Sequence, residues 1–165
     1  GQPLPSGTEV EDVFSEMGEG RSLLILGEAG SGKTTVLLNL AQNLIARAET
    51  DLSQPLPVVF NLSSWVSKQQ AIAEWLVQEL YIRYGVSRPL AKTWVQEQQL
   101  LLLLDGLDEV KVECREACVR AINQFLQTHG QTEIVVCSRI REYEALDDRL
   151  RLQTAICIQS LTPEQ

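Results

Sequence analysis

A chain of 165 residues suits one compact domain with a sizeable buried core, and 44% hydrophobic with 22% charged residues is ordinary for a soluble globular protein. No apolar run approaches the roughly 20 residues that span a bilayer, and the start, Gly1-Gln2-Pro3-Leu4-Pro5, has neither the basic region nor the apolar core of a signal peptide. A net charge of −8 argues against a dedicated DNA- or RNA-binding module, since such surfaces need clustered Lys and Arg; the one Arg-rich stretch, Arg139 to Arg151, alternates with acids.

Gln2 to Gly7 is an irregular lead-in, after which Thr8 is placed to cap a short helix through Met17. Ser22 to Leu26 is a continuous apolar run, expected as a strand buried on both faces. A glycine loop follows, then a helix from Lys33 to about Ala48 with one apolar face: Val36, Leu37, Leu40, Ala41, Leu44, Ile45 and Ala48. A Pro-containing turn at 54–57 leads to a second strand, Val58 to Leu62. Helical periodicity returns from about Lys68 to Tyr84, ended by Gly85, and a shorter helix is expected around Leu90 to Gln98. Leu100 to Leu104 is the third strand, Val112 to Gln127 a helix, Ile134 to Cys137 the fourth strand and Thr154 to Ile158 the fifth. Strands alternating with helices predict an α/β fold: three layers, α/β/α, around a five-stranded parallel sheet. Ligands of such sheets sit at the carboxyl ends of the strands, so each functional residue should follow a strand.

Gly27-Glu28-Ala29-Gly30-Ser31-Gly32-Lys33-Thr34-Thr35 matches G-x-x-x-x-G-K-[ST], with a strand before it and a helix after it. The glycines let backbone N–H groups turn inward around phosphates, and the start of the helix faces the same charge. Lys33 is placed to neutralise β- and γ-phosphates, the Thr34 hydroxyl to ligate Mg²⁺, and Thr35 to lie near the α-phosphate. A dinucleotide loop fits worse, because the glycines run G-x-x-G-x-G rather than G-x-G-x-x-G.

Four leucines, 101–104, carry Asp105 to the carboxyl end of the third strand, where a carboxylate can hold Mg²⁺. Asp108 and Glu109 follow closely enough to orient or deprotonate an attacking water. Arg139, after the fourth strand, is either a reporter of the γ-phosphate or a structural surface arginine. Asn61 and Trp65 are either walls of the site or loop packing. Cys114 and Cys118 share a helix face with Ala121, Ile122 and Phe125 and have no second ligand pair at a zinc spacing. They are expected as buried thiols in a reducing cytoplasm. His129, the only histidine, is expected in a loop or cap, which excludes a histidine-based triad.

These residues resemble a known family. GEAGSGKTT at 27–35, VVFNLSSW at 58–65, LLLLDGLDE at 101–109 and VVCSR at 135–139 are similar to the NACHT branch, bacterial type, of the signal-transducing STAND ATPases within the AAA+/ASCE P-loop proteins. The acids at 108 and 109, displaced by Gly106, are the most specific part. The resemblance implies the strand order 5-1-4-3-2, Arg139 as γ-phosphate sensor, Asp105 serving Mg²⁺, and Asp108 ahead of Glu109 for the hydrolytic water. It implies ATP (or GTP) with Mg²⁺ as ligands, and slow hydrolysis as a switch that self-associates and drives attached effector or sensor domains. Residues 1–165 are then expected to be the core only, without the helical and winged-helix parts that close over the nucleotide.

A nucleotide-binding oligomerisation scaffold with negligible hydrolysis is the alternative. A small-molecule kinase would need an arginine-rich lid after the fourth strand, where only Arg139 to Arg151 is available. A Ras-like GTPase is disfavoured because no N-K-x-D motif occurs.

Overall fold

The computed structural model describes residues 7–17, 20–28 and 32–158. Its elements in chain order are α1 (Gly7–Glu16), β1 (Ser22–Gly27), α2 (Lys33–Thr50), β2 (Leu56–Asn61), α3 (Ile72–Tyr84), α4 (Arg88–Gln96), β3 (Leu100–Asp105), α5 (Val112–Thr128), β4 (Glu133–Arg139), α6 (Ile140–Glu144) and β5 (Thr154–Ile158). Two 3-10 turns, Leu62–Ser64 and Leu107–Glu109, follow β2 and β3. The five strands pair in parallel in the order β2-β3-β4-β1-β5, which read from the other edge is 5-1-4-3-2.

Successive strand residues point to opposite faces, and the apolar runs therefore supply two cores. Leu23, Ile25, Leu101, Leu103, Val135 and Cys137 meet α1 and α2 on one face through Val10, Phe14, Leu37, Leu40 and Leu44. Leu24, Leu26, Leu102, Leu104, Ile134 and Val136 join Trp75, Leu76, Val95, Ile122 and Phe125 of α3, α4 and α5 on the other. At about 25 cal/mol per Å² of apolar area, each fully buried leucine among them stabilises the sheet by about 1.5–3 kcal/mol.

Several expected boundaries move, each for a local reason. Leu62 leaves β2 for a 3-10 turn, because the Asn61 side chain accepts the Ser63 N–H at 2.9 Å and so bends the chain. The helix expected from Lys68 begins at Ile72. Trp65 is wholly buried and donates its indole N–H to the Gln70 carbonyl, which holds 67–70 in a turn. α4 starts at Arg88 with Pro89 in its first turn, and Gln98, at φ 55°, lies beyond its end. On α2, Ile45 faces outward, so the apolar face is narrower than the sequence pattern. Cys114 and Cys118 are buried, and burial pushes the Cys118 thiol up to about 12. His129 caps α5 and stacks on Phe125. The expected Thr8 cap lies outside the described side chains, while α1 itself begins one residue earlier, at Gly7.

A hollow of about 990 Å³ opens at the amino ends of the strands, lined by Leu56, Trp94, Gln98, Leu100, Gln131 and Glu133 among others. The Arg21–Glu133 ion pair, with Arg21 over the Phe14 ring, lies beside it. Among the described residues no helix is long and apolar enough to cross a membrane.

Candidate functional site

Parallel pairing brings the candidate residues to one rim. Gly27 at the end of β1 is opposite Arg139 at the end of β4, and Asn61 at the end of β2 is opposite Asp105 at the end of β3. The order of the strands then lines up Asn61, Asp105, Arg139 and Gly27 along the carboxyl edge of the sheet.

Gly27 is buried and Glu28 is exposed as the chain leaves β1; Ala29, Gly30 and Ser31 lie outside the described residues. The loop ends at Gly32, which precedes α2 with φ 79° and ψ 22°, the left-handed region that a side chain disfavours. No side chain caps α2 and no acid stands in its first turn. The first N–H groups of an 18-residue helix and its dipole are thus directed at the rim without internal compensation, which favours an anion there. Lys33 is the first helical residue and adds a positive charge; Thr34 and Thr35 follow on the exposed surface.

The Thr34 hydroxyl donates to Asp105 Oδ2 at 3.3 Å. Burial raises the Asp105 carboxyl above its ordinary value; Asp108 adds to the rise, and the Thr34 bond, the Lys33 charge and the Gly106 N–H oppose it. A hydroxyl and a carboxylate one hydrogen bond apart are the hard oxygen donors that suit a small divalent cation. Cys137, on β4, is fully buried, and burial pushes its thiol well above the usual range, so it is no nucleophile.

After Asp105 the chain turns at Gly106, with φ 82° and ψ 42°. A Cβ here would lie 3.1 Å from Glu109 Cδ and 3.4 Å from Asn61 Oδ1, so the left-handed conformation calls for glycine and the space around it is tight. The turn buries Leu107 in the core, leaves Glu109 exposed and directs Asp108 back towards β4. Asp108 Oδ1 accepts the Arg139 backbone N–H at 3.0 Å, and Oδ2 lies 3.7 Å from Arg139 Nε. The Arg139 side chain is 49% exposed, and its other partner is Glu142 at 3.8 Å. An arginine held only by two ion pairs longer than a hydrogen bond is free to swing towards a stronger anion.

Two pairs are therefore in contact, Thr34 with Asp105 and Asp108 with Arg139. Asn61 is at the rim, but its side-chain oxygen is engaged in capping the following turn. Trp65 is wholly buried as loop packing, with its indole N–H on the Gln70 carbonyl. Sequence reasoning missed Arg115, which bonds the carbonyls of Asp108 and Val110 from α5. Nothing in its spacing signals this, because the demand comes from carbonyls that become partnerless only once the turn has formed.

The sequence matches the family model described as NACHT domain over residues 21–165. No curated protein matches it. Among solved structures, it is similar to the ORC1 protein of Aeropyrum pernix, solved in complex with DNA (TM-score 0.65, 17% identity, covering 98% of this chain and 47% of that one). It is also similar to the ORC2 protein of Aeropyrum pernix (0.54, 14%, 96% and 50%) and to C. elegans PCH-2 (0.53, 15%, 97% and 45%). The chain thus spans about half the length of these structures, whose likeness concerns the fold. That fold is a P-loop one, which supports nucleotide binding. With the family model matched over most of its length, the chain belongs to the NACHT domain family.

Proposed function

We propose that residues 1–165 are the nucleotide-binding core of a larger STAND-type protein, in which they bind a Mg²⁺–nucleoside triphosphate and hydrolyse it slowly as a signalling switch. The observation that carries this reading is the strand register, which aligns the end of the glycine loop, Asp105 and Arg139 on one rim. An adenine nucleotide is favoured by likeness to the ORC2 structure, solved as ADPNP–ADP complexes, and GTP is the competing ligand.

In this reading Gly27 to Thr35 cradle the phosphates with backbone N–H groups, Lys33 neutralises their outer charge, and Thr34 and Asp105 offer oxygens to Mg²⁺. Bound Mg²⁺ would supply charge neutralisation as the terminal phosphate leaves. Among the described residues no group of three or more His, Cys, Asp or Glu could hold a metal alone, so the cation would rely on nucleotide and water for its other positions. Arg139 swings from its two carboxylate partners to the terminal phosphate. Asp108 and Glu109 are the carboxylates available to the attacking water. The net charge of −8 favours partners other than nucleic acid. Attached effector or sensor domains and further copies of the protein fit a switch, acting in the cytoplasm.

One observation favours a second reading, a nucleotide-dependent oligomerisation scaffold with negligible turnover. Both Asp108 oxygens face Arg139, so that carboxylate is turned to the arginine and not to a water. Single-turnover hydrolysis with Glu109→Gln and Asp108→Asn separates the two. A switch loses at least tenfold in rate in one of these variants, in keeping with general-base catalysis worth roughly 10²–10⁴-fold. Equal rates in all three proteins would leave the scaffold.

A further inference from the structure

The turn from Gly106 to Val110 leaves carbonyls that its own backbone does not satisfy. Glu109 N–H bonds the Gly106 carbonyl at 2.9 Å and Val110 N–H bonds that of Leu107 at 3.2 Å. The Asp108 and Val110 carbonyls are met from α5, where Arg115 donates Nη2–H to Asp108 O at 2.5 Å and Nε–H to Val110 O at 2.9 Å. A guanidinium holds several N–H donors in one rigid plane, so one arginine can bridge two carbonyls; an ammonium has no such fixed fork.

The residue clamped by its main chain is the one whose side chain holds Arg139. Asp108 Oδ1 takes the Arg139 N–H at 3.0 Å, Oδ2 faces the guanidinium at 3.7 Å, and the Asp108 side chain is only 8% exposed. A line of contacts therefore runs from α5 through the turn after β3 to the end of β4. A small displacement of the turn would carry the Asp108 carboxylate, and with it the Arg139 guanidinium, along the rim.

We propose that Arg115 is a positioning residue: by clamping the main chain of Asp108 it sets where Arg139 stands, and so how strongly the site prefers a nucleoside triphosphate to a diphosphate. The inference rests on Arg139 as the group that meets the terminal phosphate. Arg115 acts through Asp108 and Arg139 and not on the nucleotide. A purely structural Arg115 would support the fold and leave that preference alone.

Calorimetric titration of the full chain with a non-hydrolysable ATP analogue and with ADP, both with Mg²⁺, yields the preference as a ratio of affinities. Arg115→Lys keeps the charge and removes the fork; the ratio falls roughly fivefold, towards that of Arg139→Ala. The double variant shows the Arg139→Ala ratio and no further loss. A lower melting temperature with an unchanged ratio overturns the inference, and so do losses that multiply in the double variant. Should Arg115→Lys not fold, Asp108→Asn tests the same line from its middle: it keeps an acceptor for the Arg139 N–H, removes the charge facing the guanidinium, and must change the ratio in a way that vanishes in the Arg139→Ala background. If Arg139→Ala itself leaves the ratio intact, the reading of Arg139 has failed and the inference falls with it. If Arg139→Ala lowers the ratio while Arg115→Lys and Asp108→Asn leave it unchanged, the inference fails and the reading of Arg139 stands.

Discussion

Asp105 works against the fold when it is charged. Its carboxyl sits in a partly dry position at the end of β3, and burial raises its pKa above the ordinary 3.8. For such a group the stabilising form is the neutral one. Its contribution is complete below 3.8 and is lost as pH rises through the raised value, because the folded protein then holds a charge that the unfolded chain solvates better. Asp105→Asn should therefore melt higher than the parent at neutral pH in metal-free buffer, with the gap closing towards acid. A constant or reversed gap across the titration would contradict this. The same variant should weaken the dependence of nucleotide binding on Mg²⁺. Asp105 was legible in the sequence because four leucines lead to it. Its bond to Thr34 was not, since that distance depends on how far α2 advances over β3.

Between residue and fold stands the joint of β2 and α3. Ser64 accepts the Trp75 indole N–H at 3.0 Å and its hydroxyl donates to Glu79 Oε1 at 3.0 Å; Trp75 and Glu79 are both buried, and Arg83 Nε lies 3.7 Å from Glu79 Oε1. Ser64→Ala leaves two buried polar groups short of a partner, so unfolding in urea should report a loss of about 1–3 kcal/mol, with no change in nucleotide affinity. A loss below a few tenths would mean that water replaces the hydroxyl. Element type was readable for the five strands and the longer helices, because buried parallel strands are apolar runs and those helices carry 3.6-residue faces. The ends were less so. Nothing in Lys68 to Ala71 disfavours helix, and the Trp65–Gln70 bond and the turn bond from Gln70 N–H to the Ser67 carbonyl hold it off. α6, five residues long, has too few turns for a period to show.

At the scale of the molecule, five strands known only to be parallel fit many orders, and hydrophobic periodicity does not choose among them. The order came with the family resemblance, and the pairings bear it out. Order is also what makes a single site, since β3, β4 and β1 must be neighbours for Asp105, Arg139 and Gly27 to meet. A ligand that binds only the folded rim stabilises the whole domain. A hundredfold excess over Kd adds about 2.7 kcal/mol, which for a domain of this size is roughly 5–10 °C in Tm. Mg²⁺–ATP should produce such a rise in the parent protein and none in Lys33→Ala, whose unliganded melting point should match the parent's. A rise in the variant would mean that the nucleotide is held elsewhere.

The hollow of about 990 Å³ at the amino ends of the strands is on the opposite rim. Strands of five to seven residues separate the two rims by roughly 17–23 Å. A molecule seated there would not compete with the nucleotide for space. A compound selected for this hollow would therefore leave the phosphate cradle vacant, and adding more nucleotide would not displace it.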